Sequence, residues 1–554
     1  MNYQLLYDNP EESLITRLLK VRNIDDNIDS FLDPKISDYR GDPFLLNDME
    51  KAVDRIILAL KKKEKIMIFW DYDVDGVTSS YIVYKFITKY LNYKNVSIQY
   101  PDRVNEWYGL KKLHIDQMKA KGIDLIITVD NGIASLAEWI YAKEQWIDLI
   151  ITDHHQDLES LPEAVAVVNP QVSPNYLFKW LAGVGVAFKL ICALLTKSKL
   201  DQEKRNQIFN YFLPIVTIGT VSDVVPLVWE NRALVKRWLE LLNGRHKDLP
   251  SSIMGFLKYL NIKDPIDTFH IGFLIGPRIN AGGRIKSPYD SLNALLYSGE
   301  QQLPYLETLE NINLERKQMQ NDMLKIAEEQ LDHSKKFLFV ADEEFHEGIV
   351  GIVSGRITEK YNKPSLVMKT NKEKNLWTAS LRGPVYFSVI DMIKTCSDIL
   401  ERFGGHRWAW GLGVKLENLD ELKKRFECYC EKCITDEDIE KSLSIDTKIY
   451  PHERTTESLQ SIHKLAPFGE GNTEPVFLLE NVQIKKIEKV WQKTKTHLKI
   501  HGQFGENKIN AMFRGKWDEV KDLQEDDTNV NLIWKVKKDT FNGGYFLDGV
   551  SREF

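Results

Sequence analysis

Ile66-Met67-Ile68-Phe69-Trp70 runs directly into Asp71-Tyr72-Asp73-Val74-Asp75-Gly76. Consecutive apolar residues bounded by charge predict a strand buried on both faces, as in a parallel sheet covered by helices. One aspartate would be enough to cap the helix that follows. Three carboxylates, Asp71, Asp73 and Asp75, ask for a further reason. In parallel α/β sheets ligands bind outside the carboxyl ends of the strands, and these side chains fall there.

Downstream the pattern repeats. Ile123-Asp124-Leu125-Ile126-Ile127-Thr128 returns as Ile147-Asp148-Leu149-Ile150-Ile151-Thr152, with a helix-like stretch from Ile133 to Gln145 between the copies. No third copy follows, so the echo reads as two neighbouring parallel strands rather than a solenoid. The first copy leads to Asp130-Asn131-Gly132 and the second to Asp153-His154-His155. All three clusters therefore share one edge of one sheet. Carboxylates about 4 Å apart in a partly dry site repel by several kcal/mol, and no lysine lies within the clusters to offset this. A divalent cation would. Carboxylate plus imidazole ligation suits Mn2+, with Mg2+ as the alternative, and argues against a thiolate zinc site. At each position taken alone a structural reading competes: Asp153 as a cap or a partner of His154, a lone histidine as a satisfied core residue. A further carboxylate, Asp223, ends the apolar run Ile215-Val216-Thr217-Ile218-Gly219-Thr220-Val221-Ser222. It is either a cap before Pro226 or another metal ligand, because a buried carboxylate needs a partner.

At 554 residues the chain exceeds what one core serves, and about three or four units are expected. Hydrophobic residues at 43% and charged residues at 28% exclude wholesale disorder, and five cysteines do not make a disulfide framework. A reducing, cytoplasmic compartment is the simpler expectation. Asn2-Tyr3-Gln4 opens no basic-then-apolar leader. The run Leu181–Leu195 is broken by Gly183, Gly185 and Lys189, so no membrane span is expected. A net charge of −6 tells against a uniformly basic nucleic-acid binder. A cation-binding site concentrates carboxylates, however, so charge has to be read locally.

Periodicity divides the chain into an N-terminal helical segment (1–46), an α/β unit (47–303), one long helix as a strut (304–335), a second α/β unit (336–455) and a C-terminal unit of short alternating strands (456–554). The last suggests an OB-like β-barrel, with a sandwich fragment as the alternative. Its stretch 485–508 holds seven lysines against two glutamates, with Trp491, His497 and Phe504 interleaved. Lysines supply phosphate affinity and rings supply base stacking; a solvated barrel face is the plainer reading. Cys428, Cys430 and Cys433 fall on a helical stretch with no fourth ligand evident, and read as incidental rather than as zinc ligands.

Asp71-Tyr72-Asp73-Val74-Asp75-Gly76, Val129-Asp130-Asn131-Gly132, Asp153-His154-His155 and Gly219-Thr220-Val221-Ser222-Asp223 resemble the four successive motifs of the DHH phosphoesterases. Within that superfamily nearly the whole chain is similar to the RecJ family, the single-strand-specific 5′→3′ DNA exonucleases of bacteria. Gly276-Pro277-Arg278-Ile279-Asn280-Ala281-Gly282-Gly283-Arg284 is similar to the RecJ segment near the site. Glu347-Gly348-Ile349-Val350-Gly351-Ile352-Val353 and Gly404-Gly405-His406 match the DHH-associated second domain.

The resemblance implies an α/β fold: a parallel-sheet DHH domain, a long helix, a DHH-associated domain and an OB-like barrel. It implies Asp73, Asp75, Asp130, His154 and Asp223 as ligands of two Mn2+ or Mg2+ ions, with Asp130 bridging. Asp71 would stand farther out, and His155 would act beside the scissile phosphate. Substrate contacts are implied for Arg103, Tyr108, Arg278, Asn280, Arg284, Ser380, Arg382 and His406. The implied activity is hydrolysis of single-stranded DNA from the 5′ end to mononucleotides, in repair and recombination, with a helicase and a single-strand-binding protein as partners. Two other functions stay open: a DHH phosphoesterase acting on short oligonucleotides or cyclic dinucleotides, and an inactive scaffold that binds single strands. The chain departs from the RecJ pattern at Trp107, usually Gly, and at Trp410 and Gly282, both usually Ala. These departures bear on substrate choice rather than on metal chemistry.

Overall fold

The computed structural model describes residues 2–39, 41–101, 109–156, 160–244, 249–262, 265–371, 375–406, 408–492, 495–514, 524, 530–538 and 545–553. The first unit is a sheet of β1 (Ile66–Trp70), β2 (Val96–Gln99), β3 (Leu125–Val129), β4 (Asp148–Thr152) and β5 (Ala166–Val168) in the order β2-β1-β3-β4-β5, parallel throughout. Every residue of β1 and β3 is buried. Ile66, Ile68 and Trp70 pack on one side with α1 (Val74–Lys85), α2 (Gly183–Lys197) and α3 (Gln202–Ser222). Met67 and Phe69 pack on the other, with Ile115, Met118 and Trp139. The continuous apolar run is thus a strand whose alternate side chains serve two cores.

After α4 (Gly276–Ile285) comes α5 (Leu303–Gln330), 28 residues and so about 42 Å long. The strut ends earlier than the expected 335. Asp332 Oδ1 accepts from the Ser334 amide at 3.0 Å and hydroxyl at 2.6 Å, a turn that competes with the helix.

The second unit is the mixed sheet β9-β10-β8-β7-β6, built from β6 (Leu338–Asp342), β7 (Ser365–Asn371), β8 (Leu376–Arg382), β9 (Leu400–His406) and β10 (Ala409–Lys415), with α6 (Val350–Tyr361) between β6 and β7. The helix Leu419–Cys433 adds Leu422, Phe426 and Cys430 to its core. Cys430 packs on Met392 with sulfurs 3.6 Å apart, while Cys428 and Cys433 face solvent.

The third unit is a ring. β11 (Phe477–Gln492), β12 (Lys495–Phe504), β13 (Asn507–Phe513), β14 (Val530–Lys538) and β15 (Tyr545–Glu553) run in the order β11-β12-β13-β15-β14, and β14 returns to pair with β11. Closure makes it a barrel rather than a sandwich. Its surroundings differ from the expected division. Asn2–Leu5 forms a parallel pair with Ser442–Ile445, Thr447–Lys448 pairs with β11, and Leu14, Leu18 and Leu19 enter the barrel core. The first twenty or so residues therefore pack with the barrel, and strand pairing starts that unit at Ser442 rather than at 456. Sequence patterning missed this because the strand is short and its partner lies far along the chain. Among the described residues no helix is long and apolar enough to cross a membrane.

A strap joins barrel to sheet unit. Leu227 N donates to Glu470 O at 2.7 Å, Thr268 Oγ1 to Phe468 O at 2.6 Å, and Arg232 to Ala466 O at 3.0 Å and Pro467 O at 3.2 Å.

Candidate metal centre

Each ligand candidate is held by the start or end of a regular element. Asp73 is the N-cap of α1, its carboxylate accepting from Gly76 N at 3.1 Å. The capping reading and the ligand reading therefore apply to the same residue. Asp75, one residue into that helix, turns inward and accepts from Gly183 N at 2.6 Å and Val184 N at 2.8 Å, the first amides of α2. Asp130 follows β3 with φ +60°, a conformation unusual outside glycine and typical of functional sites. Asp223 caps the C-terminus of α3 through its backbone N–H to Gly219 O.

These side chains converge. His154 Nε2 stands 3.3 Å from Asp130, 3.7 Å from Asp223 and 3.8 Å from Asp75. Three overlapping donor groups result: Asp130 with His154 and His155, Asp75 with His154 and Asp223, and Asp71 with Asp73 and Asp130. The donor atoms of each lie within 4.8 Å of one another. Asp130 and His154 each belong to two groups. Burial, then Asp73, pushes the Asp75 carboxyl up to about 7. Burial and the neighbouring carboxylates raise Asp130 and Asp223 well above the usual range. The donor set fits divalent ions, since hard oxygens and one or two imidazoles meet and dications offset the repulsion that raises these carboxyls.

Asp153 serves the other histidine. Its Oδ1 lies 2.7 Å from His155 Nδ1 and accepts from His154 N at 2.7 Å, while Oδ2 accepts from Ile133 N at 2.9 Å. Against the cost of burial, Asp153 holds the His155 imidazole up to about 9. Against its own burial, Asp153 is held down at about 2 by that imidazole.

Two glycines make the convergence possible, and sequence reasoning passed over their role. A Cβ on Gly183 would stand 2.6 Å from Asp130 Oδ1; one on Gly219 would stand 2.3 Å from Thr78 Oγ1 and 3.0 Å from Asp75 Oδ1. The available signal was glycine inside apolar helical runs, which costs about 1 kcal/mol against alanine and so calls for a packing reason.

Three stretches of the chain match family profiles: DHH family, N-terminal domain, at residues 65–220; DHHA1 domain at 334–432; RecJ OB domain at 445–548. The single-stranded-DNA-specific exonuclease RecJ of Bacillus subtilis is 34% identical over 88% of this chain, which spans 61% of that relative's length. The Escherichia coli protein of the same name is 32% identical over 78% of this chain and 78% of its own length.

The chain belongs to the RecJ family.

RecJ of Thermus thermophilus, solved in complex with Mn2+, superposes with a TM-score of 0.82 at 23% identity over 98% of this chain and 76% of its own. An exonuclease RecJ bound to manganese gives 0.60 at 27% identity over 71% of this chain and 96% of its own.

The remaining RecJ-like positions divide. Asn280 Oδ1 accepts from Val74 N at 3.1 Å, docking α4 on the start of α1. Arg284 Nη1 donates to Gly348 O at 3.3 Å, joining the first unit to the second. Arg278 is instead bound to Glu310 on the long helix, at 2.5 and 3.2 Å, so the structure does not bring it to the cluster. Arg382 Nη1 bonds Ser380 Oγ at 2.7 Å, and a Cβ on Gly351 would lie 2.9 Å from Arg382 Nη2, so these three form one group in the second unit. His406 ends β9, but its side chain lies outside the described residues, as do Arg103, Trp107 and Tyr108. Trp410 lies over Gly405, whose Cβ would be 2.9 Å from its Cγ, and packs on the second unit's core. A Cβ on Gly282 would stand 2.7 Å from Ser291 Oγ and 2.9 Å from Ser287 O, which accounts for glycine at this position. On the barrel, Lys485, Lys486, Lys489 and Lys508 are exposed, whereas Phe504 points into the core and is not a stacking residue; the Trp491 side chain lies outside the described residues.

Proposed function

We propose that the chain is a metal-dependent exonuclease that hydrolyses single-stranded DNA from the 5′ end to mononucleotides, using Mn2+ or Mg2+. The observation that carries this reading is a set of donor groups sharing Asp130 and His154, the arrangement two adjacent ions require. Bound there, such ions supply Lewis-acid polarisation of the phosphodiester and lower the pKa of water. Asp73, Asp75, Asp130, Asp223 and His154 bind them. Asp153 fixes the ring of His155 through Nδ1 and, in metal-free protein, favours its protonated form, a donor for a phosphate oxygen. Ser380 and Arg382 offer donors to the same strand from the second unit, with Arg suited to bidentate phosphate contact. The exposed barrel lysines supply affinity independent of sequence.

A scaffold that only binds strands is disfavoured, because every implied ligand position is filled and brought together. A small-substrate phosphoesterase does not account for a barrel built into the same chain. Roles in repair and recombination, a cytoplasmic location, and a helicase or single-strand-binding protein as partners belong to this reading as well. Digestion of end-labelled single and double strands with and without Mn2+ tests it. Mononucleotides released from the 5′ end of single strands only, and only with metal, are expected. Asp73→Ala is expected to abolish turnover at a stability cost no larger than that of one lost helix cap, about 1 kcal/mol; full activity in that variant removes Asp73 from the mechanism.

A further inference from the structure

Phe269 and Phe273 carry large rings that the fold leaves in solvent, 56% and 68% exposed. They lie one turn apart on the helical stretch leading into α4, stacked with centroids 5.0 Å apart and planes inclined at 24°. Single exposed hydrophobics are ordinary; two rings stacked on one helix brace each other and each leaves its outer face turned away from the pair. The same stretch then passes close to the cluster. A Cβ on Gly272 would lie 4.0 Å from Val221 Cγ1, and one on Gly276 would lie 2.6 Å from Ser222 Oγ, so this stretch packs against the end of α3, next to Asp223. At its other end Thr268 bonds Phe468 O in the strap to the barrel. The rings thus sit on one continuous stretch between the barrel and the metal centre.

We infer that Phe269 and Phe273 form a stacking platform for a nucleobase of the single strand on its way from the barrel to the metal centre. The inference rests on the nuclease reading. An unpaired base offers its π-face to such a surface at any sequence, whereas the bases of a duplex have their faces already stacked. A platform here therefore favours single strands over double strands before any bond is cut. Continuity with the barrel strap on one side and the Asp223 turn on the other fits a strand better than a partner protein.

The test measures binding without turnover: fluorescence anisotropy of the full-length chain in chelator, with a labelled oligothymidylate and with the same strand made abasic. The double variant Phe269→Ala, Phe273→Ala is expected to lose roughly 5- to 150-fold in affinity for the base-bearing strand and none for the abasic one. Phe273→Trp is expected to bind as the wild type does, and Phe273→Leu to lose affinity. If the double variant fails to fold, the comparison of Phe273→Trp with Phe273→Leu carries the test. A wild-type preference for bases in the double variant overturns the platform. So does a Phe273→Leu protein that binds as well as Phe273→Trp, since that marks a general apolar contact such as a protein-docking patch. The nuclease reading fails separately, when the wild type shows no Mn2+-dependent cleavage.

Discussion

Asp130 is the residue on which the centre turns. It is buried, holds φ at +60°, and has α2 pressed against it where Gly183 has no side chain. Gly183→Ala is therefore expected to displace Asp130 and lower Mn2+-dependent hydrolysis by about 100-fold, the scale of a misplacement near 1 Å. Steady-state rates at saturating metal check this. The crowding of carboxyls also has a pH consequence in metal-free protein. Asp75, at about 7 when folded against 3.8 for an ordinary aspartate, keeps its proton where the unfolded chain has lost it. The folded state then binds more protons, so stability falls as pH rises through that window. His155, at about 9 against 6.5, extends the fall in the same direction. Metal-free protein is expected to melt at progressively lower temperature from about pH 4 to about pH 9, with Mn2+ restoring more at the alkaline end; a flat profile in chelator contradicts this. The carboxylates and histidines were legible as residues. The glycines were not, because the need for them arises only when α2 and β3 meet.

Among the elements, α4 is a wedge. Asn280 takes the first free amide of α1, Gly283 leaves room where a Cβ would be 2.0 Å from Tyr72 O, and Arg284 reaches the second unit at Gly348. Gly283→Ala has to push against backbone. It is expected to cost about 1–3 kcal/mol, the range for overpacking, read by urea unfolding, and to lower turnover as well, since Tyr72 lies between Asp71 and Asp73. Period and composition gave the strands and the long helix α5, but not its end at Gln330, which depends on the Asp332 turn. The basic stretch of the barrel was legible as charge alone. The barrel then turns Phe504 inward and leaves Lys485, Lys486, Lys489 and Lys508 outside.

For the whole molecule, the barrel is completed by the start of the chain. Leu14, Leu18 and Leu19 pack with Ile449, Leu459 and Phe477, and Arg17 is paired with Glu453 at 2.7 Å in the same interior. Leu18→Ala is expected to cost about 2–5 kcal/mol, seen as loss of the barrel's share of the unfolding transition while residues 47–303 keep theirs. The same packing means that removing residues 473–554 alone would uncover the apolar face of the N-terminal helix. An activity test of the barrel's role is therefore better made by surface substitution of Lys485, Lys486 and Lys489 than by truncation.

Apolar runs, periodicity and polar clusters are local properties of a chain. The parallel sheet, the strand ends that carry the acids and imidazoles, and the order of the three units all follow from them and needed no coordinates. Which of those groups can share an ion is a matter of packing. So are the service of Asp153 to His155, the capture of Arg278 by Glu310 away from the cluster, and the membership of the first strand in the last unit. Most of these contacts join residues far apart in sequence, and all are set by how the elements come together, which no single stretch of the chain encodes.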